Sequence, residues 1–561
     1  MSYDILIKNG TIVDGTGRPA YRADLAIEAG RIAEIGSIQN GAAAKVIDAS
    51  ELIVAPGFID PHTHYDGQIC WYPLVTCSSW HGVTTVVMGN CGVGLAPCKP
   101  EVREVATWDL VNVEAIPFEV LKKGVTWDWE TFPQYMDAAD KRGTGINLAF
   151  LAPLTPFRHY VMGEESMDRE ATTDETARIK ALIKEAVTAG AFGFTSTIAP
   201  QHIGYKGRPL ACRMASRDEL KAYANALKEL GRGAIEIIVT RNPYRMAEDE
   251  YALLDMLLTE SGRPVTWLSL RRRFENPKAL DEILRVADPV IKRGALPQIS
   301  NLPLVAQMGL RQPSIGFAPY PSWKPAFNAS LEDLKRFYAD PSFRAAFREE
   351  LRKPGLFSPD WQGMTVYTVS NPEMKHLEGK TVADIAAERG KDGLDVFFDL
   401  ALEDNLELRY ITIRADIPNE LLDDPRTMLG ISDGGAHVDQ LCSAGYCTDL
   451  IGTFVRDRQV LSLERAIKRI TSDPAAFFGM NDRGRLAPGL AADIVLFDYN
   501  KIASAGRPEM LNDLPGGGKR LVVRAQGINY TIVNGEILYD NEKHTGRLPG
   551  RALRSGAAAI S

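Results

Sequence analysis

The run Asp60-Pro61-His62-Thr63-His64 closes the apolar stretch Leu52-Ile53-Val54-Ala55-Pro56-Gly57-Phe58-Ile59, and its reading decides the fold. The stretch predicts a buried strand. Side chains two apart on a strand point to the same side. His62 and His64 therefore aim two imidazoles at one point beyond the strand end. Neutral imidazole is a common ligand of zinc and its neighbours. A bare His-x-His is more often a pair of solvated loop histidines, so the rest of the chain must decide.

Downstream, apolar strand-like runs alternate with helix-like segments. With residues 54–59 counted first, the runs are 84–88, 146–151, 190–196, 235–240, 264–270, 296–299 and 428–431. Helical patterns lie between them, as at 174–189 and 216–230. This alternation predicts an α/β fold, a (β/α)8 TIM-like barrel over residues 55–480. The gap between strands seven and eight is rich in proline and aromatic residues from 302 to 361. It reads as an insertion, either capping the site or an ordinary surface excursion. Residues 1–54 are short alternating strands with turns. Residues 481–561 carry matching strands around Asn534-Gly535, a hairpin signal. The two ends predict one small β-sandwich built from both termini.

At 561 residues the chain is too long for one ordinary core, and 45% hydrophobic content marks it as globular. A net charge of −8 gives no basic footprint, which argues against nucleic acid as a partner. No apolar run reaches membrane-spanning length, and the first ten residues lack the pattern of a signal peptide. Seven cysteines form an odd set without framework spacing, which fits a reduced, cytoplasmic setting. Cys91 and Cys98 are the candidates for chemistry; the others read as small core residues. The expected partners are a small-molecule substrate and, at most, further copies of the chain in a homo-oligomer.

In a barrel, catalytic groups sit at the C-terminal ends of the strands. Strand one ends in His62 and His64, strand two in Gly89-Asn90-Cys91-Gly92, and strand eight in Ser432-Asp433-Gly434-Gly435-Ala436-His437. Strands eight and one are neighbours once a barrel closes. His62, His64, Cys91 and Asp433 thus form a candidate metal site. Each has a bland alternative: Cys91 as a buried thiol in a turn, Asp433 as a turn residue. His437 reads as structural.

These motifs carry a resemblance. The chain resembles the amidohydrolase superfamily, specifically its D-aminoacylase (N-acyl-D-amino-acid deacylase) branch, over nearly its whole length. The matching stretches are Ile7-Lys8-Asn9-Gly10-Thr11-Ile12-Val13-Asp14-Gly15, residues 55–64, residues 81–92 and Gly489-Leu490-Ala491-Ala492-Asp493-Ile494-Val495. Gly-Asn-Cys-Gly is the branch-specific motif. The resemblance implies a hydrolase of linear amide bonds that uses a divalent metal, with zinc expected. His62, His64, Cys91 and Asp433 match the family's metal positions. Asp433 also matches its general base, which takes a proton from the attacking water and passes it to the leaving nitrogen.

One departure stands out. The family places further histidine ligands at the ends of strands five and six. Here strand five runs Ile237-Ile238-Val239-Thr240-Arg241-Asn242 and strand six Val265-Thr266-Trp267-Leu268-Ser269-Leu270-Arg271, with no histidine. Strand four has no lysine to bridge two metals. A second metal position would have Cys91 alone, too few for a catalytic ion. The expectation is one metal, held by His62, His64 and Asp433, with Cys91 close by or coordinated.

Candidate substrate residues are Arg241 and Arg271, whose guanidinium could clamp a carboxylate bidentately, together with His202 and Trp267. Trp267, Phe317, Tyr320 and Trp323 could wall an apolar pocket or pack as core. The expected substrate is an N-acyl amino acid, of the D series on the resemblance. The alternatives are another C–N bond, in a cyclic amide or carbamate, and a degenerate member that binds without turnover.

Overall fold

The computed structural model describes residues 2–39, 41–273, 276–353, 357, 359–413, 416–506 and 508–556. Eight parallel strands appear where the apolar runs place them: Phe58–Asp60, Val83–Met88, Asn147–Phe150, Gly193–Thr197, Ala234–Ile238, Val265–Leu268, Ala295–Ile299 and Met428–Leu429. Strands one to three form one sheet and strands four to eight another, each in sequence order. Ala152–Pro153, just after strand three, pairs with strand four, and further backbone bonds link the sheets. Phe192 N donates to Phe150 O at 2.7 Å beside strands three and four, and His64 N donates to Gly434 O at 2.7 Å beyond strands one and eight. Strands two, four and five are buried at every position, as expected where helices cover a parallel sheet.

Parallel neighbours need crossovers, and helices supply them. Thr173–Ala189 and Arg217–Leu230 each begin with a capping box, from Thr172 with Glu175 and from Ser216 with Glu219. Each box satisfies two of the donors a helix start leaves open. Glu248–Ser261 and Ala279–Ile291 make the next two crossovers.

The first expected strand, 54–59, is in fact two. Ile53–Pro56 belongs to a nine-stranded sheet, and only Phe58–Asp60 joins the parallel set. The break is at Gly57, whose missing side chain matters: a Cβ there would lie 2.2 Å from the Thr84 side chain. The nine-stranded sheet draws on both chain ends, pairing Ile53–Pro56 with Ile494–Phe497. It has its own core of Ile5, Ile7, Ile12, Leu25, Val54, Ile494 and Ile532. Asn534 and Gly535 both take positive φ (48° and 82°), the turn their sequence calls for.

The excursion after strand seven runs further than 302–361. It contains an antiparallel sheet of Val305–Gly309, Arg409–Ile413 and Thr365–Thr368, and helices as late as Gly393–Glu403. Residues 354–356 and 358, inside the expected insertion, lie outside the described residues. An aromatic-rich segment cannot bury its rings alone. Phe398 and Phe397, from the later helix, complete a separate core with Phe317, Trp323, Tyr338 and Phe347. Near the C-terminus, Gly550 N bonds to Thr144 O and Leu553 N to Leu148 O, both at 2.8 Å, so the tail runs against strand three. Residues 557–561, assigned by sequence to the C-terminal segment, are not among those described. No helix among the described residues is long and apolar enough to cross a membrane.

Candidate metal centre

Strand one delivers His62 and His64 fully buried, at 0% and 1% exposure. Cys91 follows strand two in a tight turn with a φ of 60°. Asp433 and His437, after strand eight, both take a φ of 48°. Positive φ is uncommon outside glycine and clusters at functional sites, where surrounding structure enforces it. Glycines make the close approach between loops feasible. A Cβ on Gly435 (φ 91°) would lie 2.6 Å from the carbonyl oxygen of His64.

The side chains converge. His62 Nε2 and His64 Nε2 are 3.3 Å apart. Cys91 Sγ lies 3.4 Å from His62 Nε2 and 3.8 Å from His64 Nε2. Asp433 Oδ1 approaches the same two nitrogens at 3.5 and 4.0 Å. Ligands about 2 Å from one ion at tetrahedral angles stand roughly 3.3 Å apart, so the two imidazoles are spaced as ligands of a single ion. Two imidazoles, a thiol and a carboxylate form a donor set suited to zinc and similar divalent ions. His62 Nδ1 and His64 Nδ1 are buried without a hydrogen-bond partner.

Electrostatics points the same way. Burial holds the His62 imidazole below its ordinary range. Burial, with His62, His437 and His202 nearby, holds His64 well below it. The Cys91 thiol is pushed well up by burial and by Glu236, Glu114 and Asp433. The imidazoles are thus neutral, the form that binds metals, in a pocket dominated by acidic groups that a cation would balance.

Two of those acidic groups escaped the sequence reading. Glu236 is fully buried on strand five, and its Oε2 accepts the Cys91 backbone N–H at 2.8 Å. Burial pushes its carboxyl up to about 8. Glu114 ends the helix Arg103–Glu114, and its Oε1 lies 3.3 Å from His64 Nδ1. Burial, with Asp433, Asp66 and Glu236 nearby, raises it well above the carboxylate range. Each is a lone acid inside an apolar run, Ala234-Ile235-Glu236-Ile237-Ile238 and Val113-Glu114-Ala115-Ile116. Acids are almost never fully buried without a reason, and that was the available signal.

The remaining candidates divide between the neighbourhood of the centre and packing or ion pairs elsewhere. Arg271, after strand six, is partly buried; desolvation lowers its pKa to about 10, while Asp433 opposes that shift. His202 is buried, with Nδ1 unpartnered, and is held down to about 3 by burial, Arg213, His437 and His62. Arg241 is engaged elsewhere, in ion pairs with Glu250 and Asp249. Trp267 is packed in the main core, its indole N–H donating to Ala295 O at 3.2 Å. Phe317, Tyr320 and Trp323 belong to the core of the excursion. Cys98 is buried in core, and burial pushes its thiol up to about 12. His437 stands 4.0 Å from the Glu114 carboxylate.

The fold and these motifs define a member of a known class. The model of the Amidohydrolase family matches residues 45–319 and 359–539, and the chain belongs to that family, in its D-aminoacylase branch. An N-acyl-D-aspartate deacylase of Alcaligenes xylosoxydans xylosoxydans is 30% identical, over 99% of this chain and 96% of the relative. A solved structure of D-aminoacylase has 25% identity and a TM-score of 0.69, covering 98% of this chain and all of the other; that protein has a binuclear metal centre with one-metal activation and second-metal attenuation. An N-acyl-D-glutamate deacylase from Bordetella bronchiseptica, complexed with zinc and a phosphonate that mimics the tetrahedral intermediate, has 26% identity and a TM-score of 0.68, covering 99% and 100%.

Proposed function

We propose that this chain hydrolyses the amide bond of an N-acyl amino acid, of the D series, at a single-metal centre held by His62, His64 and Asp433 with Cys91 beside them. The carrying observation is the convergence of His62 Nε2, His64 Nε2, Cys91 Sγ and Asp433 Oδ1. The deacylase relatives support the substrate class. One-metal activation in D-aminoacylase agrees with a chain that lacks the further histidines. We read the eight parallel strands as a closed (β/α)8 barrel spanning residues 55–480, with the two chain ends as its β-sandwich.

Held by His62, His64 and Asp433, a divalent ion, most simply Zn2+, would supply a Lewis-acid charge that makes water more acidic and polarises the scissile carbonyl. Asp433 is the carboxylate placed to take the proton of the attacking water. It then returns that proton to the leaving nitrogen, so that amide plus water gives acid plus amine. Arg271, whose charge is felt by Asp433, is a guanidinium suited to bidentate contact with the substrate carboxylate. His202 is a neutral imidazole at the same centre that can contact substrate.

The test is hydrolysis of a panel of N-acyl D- and L-amino acids by purified protein, with His62→Ala as control. Turnover of D substrates, lost in the variant, is expected. Turnover of only a cyclic amide or carbamate would move the activity to another C–N bond. Turnover that survives His62→Ala would refute the site.

A further inference from the structure

Helix Arg103–Glu114 brings a carboxylate to the centre from outside the parallel strands. Glu114 is 2% exposed. Its Oε1 lies 3.3 Å from His64 Nδ1, an ion-pair distance, and neither atom makes a hydrogen bond among the described residues. Its Oε2 lies 4.0 Å from His437 Nε2, and its carbonyl oxygen accepts the His437 backbone N–H at 2.5 Å. One residue thus touches a histidine from strand one and a histidine from the loop after strand eight.

This is an expensive place for an acid. The C-terminal end of a helix carries partial negative charge. Glu236, Asp66 and Asp433 add more nearby. No lysine or arginine among the described residues pairs with Glu114. A residue retained for packing alone would be apolar, because burying a carboxyl group without a hydrogen-bond partner destabilises a fold in either protonation state.

We infer that Glu114 is a positioning residue for the metal centre: its carboxyl group, in close contact with His64 Nδ1, favours the tautomer with the proton on Nδ1 and leaves the Nε2 lone pair for the ion. This rests on the metal reading above. A carboxylate behind a ligating imidazole fixes its tautomer and raises its basicity, and losing such a partner typically weakens metal binding 10- to 100-fold. Glu114 therefore trades stability of the metal-free fold for affinity.

The test measures Zn2+ affinity of the full chain by competition with a chromogenic chelator, alongside the melting temperature of the metal-free protein. Glu114→Gln removes the acid and keeps the shape; Glu114→Asp keeps the acid and withdraws it from His64. Glu114→Gln is expected to melt at or above wild type without metal, yet to bind zinc about 10- to 100-fold more weakly. Glu114→Asp, which carries the test if the first variant does not fold, is expected to lose affinity as well. A folded variant that binds zinc as tightly as wild type overturns the inference. So does a Glu114→Gln protein whose metal-free melting temperature falls along with its affinity, since that marks a merely structural residue. Wild-type protein that takes up no zinc removes the metal reading itself, and this inference with it.

Discussion

Glu236 Oε2 accepts the backbone N–H of Cys91 at 2.8 Å, tying the turn after strand two to strand five. The turn holds a left-handed residue at Cys91, so its backbone needs outside support. Glu236→Ala leaves that donor buried and unpaired, at a cost of about 1–3 kcal/mol. Glu236→Gln keeps an acceptor oxygen and should recover most of it. Urea unfolding of the metal-free variants checks this; equal midpoints for Glu236→Ala and wild type would show that the bond stabilises nothing.

Arg271 and Arg241 were equal candidates by sequence and are unequal in the fold. Arg241 is held by Glu250 and Asp249, whereas Arg271 interacts electrostatically with Asp433 and His62. Arg271→Ala should raise KM for an N-acyl amino acid by about 10- to 100-fold, the worth of a charge-assisted pair. Arg241→Ala should leave KM near wild type. The reverse ranking in steady-state kinetics would assign the substrate carboxylate to the wrong residue.

Asp433→Asn keeps an oxygen donor but cannot accept a proton. Its kcat should fall by about 100- to 10,000-fold, the usual worth of a general base, while zinc content is retained. Zinc lost in step with activity would make Asp433 a ligand without a proton-transfer role.

His81 gives a pH signature away from the centre. Its Nδ1 meets Thr448 Oγ1 at 2.7 Å and its Nε2 meets Val523 O at 3.0 Å. Burial lowers its pKa to about 4 from an ordinary 6.5. Between those values the unfolded chain binds a proton that the folded one refuses, so stability falls as pH drops from 6.5 toward 4. The loss attributable to His81 is about 3 kcal/mol. His81→Gln should flatten this part of the urea-stability profile between pH 7 and pH 4.5. An unchanged slope would place the acid sensitivity elsewhere.

The sequence showed the parallel strands and the convergence of His62, His64, Cys91 and Asp433 because both rest on periodicity and on chemistry at strand ends. It could not show that Gly57 splits the first strand, since that depends on Thr84, distant in the chain. It ended the excursion too early, because the helix carrying Phe397 and Phe398 is needed only once the aromatic cluster is seen in space. Glu114 and Glu236 were missed for one reason. Neither lies at a strand end: one closes a helix and the other sits inside a strand, though each is a lone acid in an apolar run.

The most direct test is the metal content of purified wild-type and His62→Ala protein, measured beside hydrolysis of an N-acyl-D-amino acid. The account predicts one tightly bound divalent ion per wild-type chain with turnover, and neither ion nor turnover in the variant. Two tightly bound equivalents would contradict the single-metal centre, and turnover by metal-free wild type would contradict the mechanism.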